Sequence, residues 1–172
     1  MSYVDRAENF GRALRTISPT LLGVFGVIVW AAPIRLFGGV LPTPLLPLLI
    51  VFYWAIYHPK ALPALGVFLI GIFQDLLVGA PLGLWSSIYL CVSLIATSQQ
   101  SYFHGRDQQV IWIGFAVAAC LAGFMQWAAM SVVSGGPLPI GRLAIQIFAT
   151  IALYPFLALV FSEFHRRVVY EA

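Results

Sequence analysis

The carboxylate of Asp75 is the side chain best placed to do chemistry, because it lies inside a long apolar segment of the chain. Gly71 and Gly79 stand four residues to either side, so the three residues share one helix face, each turned only about 40° from the last. Aspartyl proteolysis uses two carboxylates, and this segment holds one. Three roles for Asp75 stay open. The side chain could snorkel to the interface or accept the backbone amides of the turn, it could make a packing or partner-docking contact, or it could handle protons or ions.

The other reactive side chains do not combine into a catalytic set. The three histidines fall in predicted turns or in the tail: His58, His104 and His165. Three serines of one apolar segment are expected to hydrogen-bond their own helix or a neighbouring one: Ser86, Ser87 and Ser93. No zinc spacing and no phosphate-binding loop is present in the sequence. We therefore expect a protein that is not an enzyme, with no catalytic, cofactor-binding or metal-binding residues.

The composition predicts an integral membrane protein. The chain of 172 residues is 61% hydrophobic and 9% charged, whereas a soluble domain carries roughly 25% charged residues. The apolar runs are continuous and do not alternate every second residue, which favours an all-α helical bundle over a β-barrel. The net charge of +3 comes without a basic cluster, so nucleic-acid binding is not expected. Cys91 and Cys120 each lie in an apolar segment and are predicted to be buried.

Six transmembrane helices are predicted in one domain that covers residues 1–172, behind an exposed cytoplasmic arm at 1–17. Their approximate ranges are 18–36, 44–57, 61–78, 84–101, 110–133 and 143–164. We read the first as an uncleaved membrane helix and not as a signal peptide. The second is short beside the roughly 20 residues of a straight span, so it either starts within the interface or forms a re-entrant pair with the first.

The distribution of basic residues sets the expected orientation. With six helices both termini lie on the same side, and seven of the nine basic residues then fall on that side: Arg6, Arg12, Arg15, Lys60, Arg106, Arg166 and Arg167. The positive-inside bias makes this side cytoplasmic. The outer loops hold Arg35 and Arg142, either of which could pair with Asp75. Trp30 and Trp85 are expected near the outer membrane boundary, as an aromatic belt.

The middle of the chain resembles a known family. The segment 53–59, followed by 67–83 with its Gly-x-x-x-Asp and Gly-x-Pro-x-Gly patterns, resembles the bacterial rod-shape-determining membrane protein family MreD through residues 45–84. The length, the basic N-terminal arm and the basic tail fit the whole chain. The residues shared with the family are Gly71, Gln74, Asp75, Gly79, Pro81 and Gly83.

The resemblance implies a non-enzymatic scaffold in the bacterial inner membrane that takes part in cell elongation. It implies binding to the single-span protein MreC, and links to a glycan polymerase, its transpeptidase partner and, indirectly, MreB filaments. It also implies a fold similar to the six-helix substrate-binding subunits of vitamin transporters. A transporter-type subunit that binds a small molecule in an outer cavity is therefore the alternative function.

Overall fold

The structure is a computed structural model that describes residues 19–31, 43–103 and 108–170. Every regular element in these ranges is a helix, which confirms the all-α prediction for the described part of the chain. The helices are α1 (Pro19–Ala31), α2 (Leu46–Tyr57), α3 (Ala64–Val78), α4 (Leu84–Ser98), α5 (Gln100–Phe103), α6 (Gln108–Val133) and α7 (Ile140–Tyr170). The predicted arm at 1–17 and the outer-loop residue Arg35 lie outside the described ranges.

Several helix ends differ from the expected ones, and proline explains one of them. The third helix starts at Ala64 and not at 61, because Pro63 is extended and disfavours a helical conformation at the residue before it. The fourth ends at Ser98, and the short α5 follows after Gln99. The last helix is longer than 143–164 and contains Pro155.

Pro155 leaves a backbone carbonyl that another helix satisfies. Proline has no N–H, so it cannot donate to the carbonyl four residues earlier, which belongs to Ile151. The indole Nε1 of Trp112 on α6 donates to this oxygen at 2.9 Å. The bond therefore ties α6 to α7 at the point where α7 is weakened.

Helix α2 forms the centre of the bundle. It has 12 residues, of which nine are buried, and it is about 18 Å long at 1.5 Å per residue. A helix that is apolar on all sides is a buried helix, so α2 is enclosed by protein and its short length does not have to match a bilayer. Its first turn is held by α7, since Leu45 N donates to Thr150 Oγ1 at 3.0 Å.

Three aromatic rings connect α2, α6 and α7 in the core. Phe52 meets Phe115 edge-on at 5.1 Å between ring centroids and meets Tyr154 edge-on at 6.0 Å. Phe115 and Tyr154 stack at 4.5 Å. These geometries are the favoured ones for aromatic pairs and add to the burial of apolar surface.

The contacts between helices define two ends of the bundle. At the end called here the Gly83 end, Trp30 of α1 donates to Thr43 O at 3.3 Å, and its ring meets Trp85 of α4 edge-on. At the opposite end, Gln100 Nε2 donates to Ile56 O at 2.9 Å. Trp85 is only 2% exposed, so its assignment to an aromatic belt at the membrane surface is wrong. It packs between Trp30 and Tyr89 instead.

One described helix meets the length and hydropathy expected of a membrane span. This is α6, with 26 residues. Four other helices, together with the part of α7 whose side chains the structure describes (Ile140–Phe156), are apolar but have 10–17 residues. The prediction that both cysteines are buried is wrong for Cys120, which is exposed on α6, while Cys91 is half-buried.

Candidate functional site: a helical hairpin capped by a carboxylate

The six residues that carry the family resemblance build the hairpin of α3 and α4. Gly79 ends α3 with φ of 67°, and Gly83 starts α4 with φ of 95°. Both angles lie in the left-handed region, which glycine adopts at little cost because it has no Cβ. Pro81 lies between them, and its carbonyl accepts the N–H of Leu84 at 3.1 Å. The glycines therefore allow the chain to reverse direction within five residues.

Asp75 caps the first turn of α4 from the end of α3. Its Oδ2 accepts the N–H of Gly83 at 2.8 Å, and its Oδ1 accepts the N–H of Trp85 at 3.0 Å. The first N–H groups of a helix have no partner within the helix, and a negative charge is favourable at that end. Gly83 has no side chain with which to cap α4, so Asp75 supplies the acceptor. Among the roles that the sequence left open for Asp75, these two hydrogen bonds correspond to the acceptor of the backbone amides of the turn.

The carboxylate of Asp75 is sealed within the protein. Asp75 is 1% exposed. In the part of the chain that the structure describes it has no arginine partner: Arg142 is exposed and makes no ion pair with it. Two backbone amides thus bind the carboxylate, and the pair with Arg142 considered from the sequence is not formed.

Gly71 allows α3 and α4 to approach closely. A Cβ at this position would overlap the backbone N and Cα of Ser86. Ser86 Oγ donates to the carbonyl of Phe68 at 3.1 Å, so the hydroxyl is used at the same crossing. Small residues are the usual means by which membrane helices pack backbone to backbone.

Gln74 forms a second polar contact across the hairpin. Its side chain is fully buried, and its Oε1 accepts a hydrogen bond from the hydroxyl of Tyr89. Its Nε2 has no hydrogen-bond partner within the described residues. Sequence reasoning named Ser86 as a hydrogen-bonding serine, but it missed Tyr89. The available signal for Tyr89 was a polar group three residues after Ser86 in a largely apolar helix.

The six residues therefore divide into a buried set and an accessible set. Gly71, Gln74 and Asp75 lie between α3 and α4. Gly79 and Pro81 are exposed, and Gly83 is half-buried. Leu82, between the last two, is 70% exposed. Of these six residues, only those of the turn 79–83 are in a position to contact another molecule directly.

Asp75, Ser86 and Ser87 of the hairpin are engaged in hydrogen bonds to the backbone. Both carboxylate oxygens of Asp75 are occupied, and the hydroxyl of Ser87 donates to its own helix at Gly83 O, 2.6 Å away. Among the described residues, no three histidine, cysteine, aspartate or glutamate side chains lie close enough to hold a metal ion.

No family model, curated protein or solved structure gives a match to this chain. The resemblance to the MreD family accordingly remains a prediction that rests on the residues of segments 53–59 and 67–83.

Proposed function

We propose that this chain is a multi-pass scaffold of the bacterial inner membrane, of the MreD type, acting in cell elongation. Its partners are then MreC, a glycan polymerase with its transpeptidase, and MreB filaments indirectly. The single observation that carries the proposal is the sealed Asp75. The most distinctive polar residue of the chain is used to fix the shape of a hairpin and offers no free group for catalysis.

The exposed surface supports placement in a membrane. Large apolar side chains are well exposed on separate helices, among them Leu65 (68%), Phe124 (63%) and Phe148 (75%). Monomeric soluble proteins rarely expose large continuous apolar patches. We propose that α1 to α4, α6 and α7 all cross the bilayer, that α2 does so inside the bundle, and that both termini are cytoplasmic.

The expected position of the turn 79–83 within the bilayer supports the binding of a partner at that turn. Helix α3 has 15 residues, so it is about 22 Å long, which is shorter than the roughly 30 Å hydrocarbon core. If Lys60 marks the inner boundary, the turn ends several ångströms below the outer one. An irregular backbone exposed to lipid is avoided, because its polar groups need partners. A docked transmembrane helix of MreC would cover the turn and remove this exposure.

A matched pair of substitutions tests the docking surface. Leu82 in the turn and Leu94 on α4 are almost equally exposed, at 70% and 71%. We expect Leu82→Ser to reduce recovery of the single-span partner in a pull-down in mild detergent, and Leu94→Ser to leave it unchanged. The unfolding free energies of the two variants should be similar, so a stability loss would not explain the difference.

Two results would contradict the proposal. One is equal recovery of the partner with both variants, or no single-span protein recovered at all. The other is a small molecule that stays bound through purification and is identified by mass spectrometry, since it would favour the transporter-type alternative.

A further inference from the structure

Two buried hydrogen-bond donors lie towards the end of the bundle opposite the Gly83 end, called here the Tyr57 end. The hydroxyl of Tyr154 on α7 and the indole Nε1 of Trp54 on α2 are sealed from solvent and have no hydrogen-bond partner within the described residues. Tyr154 as a whole is only 2% exposed. Buried polar groups in proteins are nearly always hydrogen-bonded, to the protein or to ordered water. These two donors therefore need an acceptor that the described side chains do not provide.

The rings of α2 bring both donors close to two further hydroxyl groups. Tyr53 meets Trp54 edge-on at 6.2 Å between ring centroids and lies 4.6 Å from the ring of Tyr57. The phenol of Tyr154 is within electrostatic range of those of Tyr57 and Tyr53. Helices α2 and α7 therefore place three phenols and one indole N–H together at the edge of an apolar core. These four residues are called here the tyrosine cluster.

Water is the acceptor that suits the tyrosine cluster. Asp75 is the one acid whose side chain the structure describes, and its oxygens are bound to amides at the Gly83 end. A carboxylate from the described part of the chain is therefore excluded as the acceptor. Buried water molecules typically make about three hydrogen bonds to polar groups that otherwise lack a partner. A phenol can both donate to water and accept from it.

The exposure of the three tyrosines gives water a route into the cluster. Tyr154 is 2% exposed and Tyr53 is 6% exposed, while Tyr57, the last residue of α2, is half-buried. Tyr53 and Tyr57 are one turn apart, which is about 6 Å along the helix axis. Water that enters at the Tyr57 end can therefore reach Tyr154 without crossing the apolar core.

We propose that the tyrosine cluster is an internal hydration site, in which ordered water accepts a hydrogen bond from Tyr154 and connects it to the hydroxyl groups of Tyr53 and Tyr57. The bound water links α2 to α7 at the Tyr57 end, as the bond from Leu45 to Thr150 links them nearer the Gly83 end. The site goes beyond the proposed function and does not depend on the partner protein.

Hydroxyl-radical footprinting of the purified full chain tests for the water, because radiolysis of a bound water forms the radical beside the side chain that it touches. We expect Tyr154 to be oxidised despite its burial, and Tyr154→Phe to reduce oxidation at this position severalfold, since the water is lost with the hydroxyl. Tyr102, which is 56% exposed, is the control for bulk solvent and should be oxidised equally in both proteins. Absence of oxidation at Tyr154, or equal oxidation at position 154 in the two proteins, would overturn the proposal.

Unfolding in mixed micelles with sodium dodecyl sulfate tests the energy of the same site. Tyr154→Phe should raise the equilibrium constant for unfolding about fivefold, the effect of losing one typical hydrogen bond, because a water-mediated bond is nearly as strong as a direct one. A dry site predicts no change or a decrease, because the substitution then removes an unsatisfied hydroxyl. Either of those results would overturn the proposal.

A double variant tests whether water connects the hydroxyl groups. Tyr154→Phe combined with Tyr57→Phe should raise the unfolding constant by less than the product of the two single effects. The exposed Tyr102 is the control, so Tyr154→Phe combined with Tyr102→Phe should give the full product. The full product for the first pair would mean that Tyr154 and Tyr57 share no water, which contradicts the proposal.

The same preparation separates this inference from the proposed function. A chain that recovers its single-span partner, yet shows no oxidation at Tyr154, would contradict only the hydration site. A chain that is oxidised at Tyr154 as expected, yet recovers no partner, would contradict only the proposed function.

Discussion

The cap formed by Asp75 gives the sharpest energetic prediction. Asp75→Ala removes the acceptor of two backbone N–H bonds, at 2.8 and 3.0 Å. A neutral hydrogen bond between membrane helices is worth about 0.6 kcal/mol on average, so two would total about 1.2 kcal/mol. Bonds to a charged group are worth about 1.5–3 kcal/mol each. Because the carboxylate is buried and the N–H of Trp85 is left without an acceptor, we expect a loss of about 3 kcal/mol.

The measurement is the free energy of unfolding from titration with sodium dodecyl sulfate in mixed micelles. Asp75→Asn should lose about half as much, since it keeps one oxygen and turns an NH₂ group towards the other amide. Leu76→Ala is the control, because Leu76 is adjacent and 64% exposed. A loss for Asp75→Ala below about 1 kcal/mol, or no larger than that of Leu76→Ala, would refute a charge-assisted cap.

Three further predictions use the same titration. Gly71→Ala should lower the free energy of unfolding by about 1–3 kcal/mol, because the added Cβ overlaps the α4 backbone. Gly136→Ala is the control and should be nearly neutral, since a Cβ there meets open space. Equal losses for the two variants would contradict the close crossing of α3 and α4. Tyr89→Phe should lower the free energy of unfolding by about 1 kcal/mol or more, because Gln74 Oε1 loses its donor. The double variant with Gln74→Leu should lose less than the sum of the two single losses. Strict additivity would mean that the two side chains do not interact. Trp112→Phe should lower the free energy of unfolding by about 1 kcal/mol, because the carbonyl of Ile151, which Pro155 cannot bond, loses its donor. No loss would mean that water replaces the indole.

The sequence predicted the helical class and the reversal at 79–83, because both depend on local signals. Long apolar runs specify helices, and the glycines on either side of Pro81 specify a turn. It also placed Gly71, Asp75 and Gly79 on one helix face. It left the role of Asp75 open, because the acceptor geometry depends on where α4 begins, and this is fixed only once the hairpin has formed.

The contacts that the sequence did not predict join residues far apart in the chain. The bond from Leu45 to Thr150 spans 105 residues, and that from Trp112 to Ile151 spans 39. No periodicity within one segment indicates such a pairing. The same limit explains the error at Trp85, whose type and position suit a membrane boundary and whose burial depends on Trp30 of another helix.

The most direct test of the account is site-specific cross-linking in membranes. A variant without Cys91 and Cys120 would carry one new cysteine, at Leu82 in the turn or at Leu94 on α4, and a photoreactive thiol reagent would be attached. We expect a single-span membrane protein, identified by mass spectrometry, to be cross-linked from position 82 and not from position 94. Cross-links of equal yield from both positions, or none from position 82, would contradict a scaffold that binds its partner through the capped hairpin.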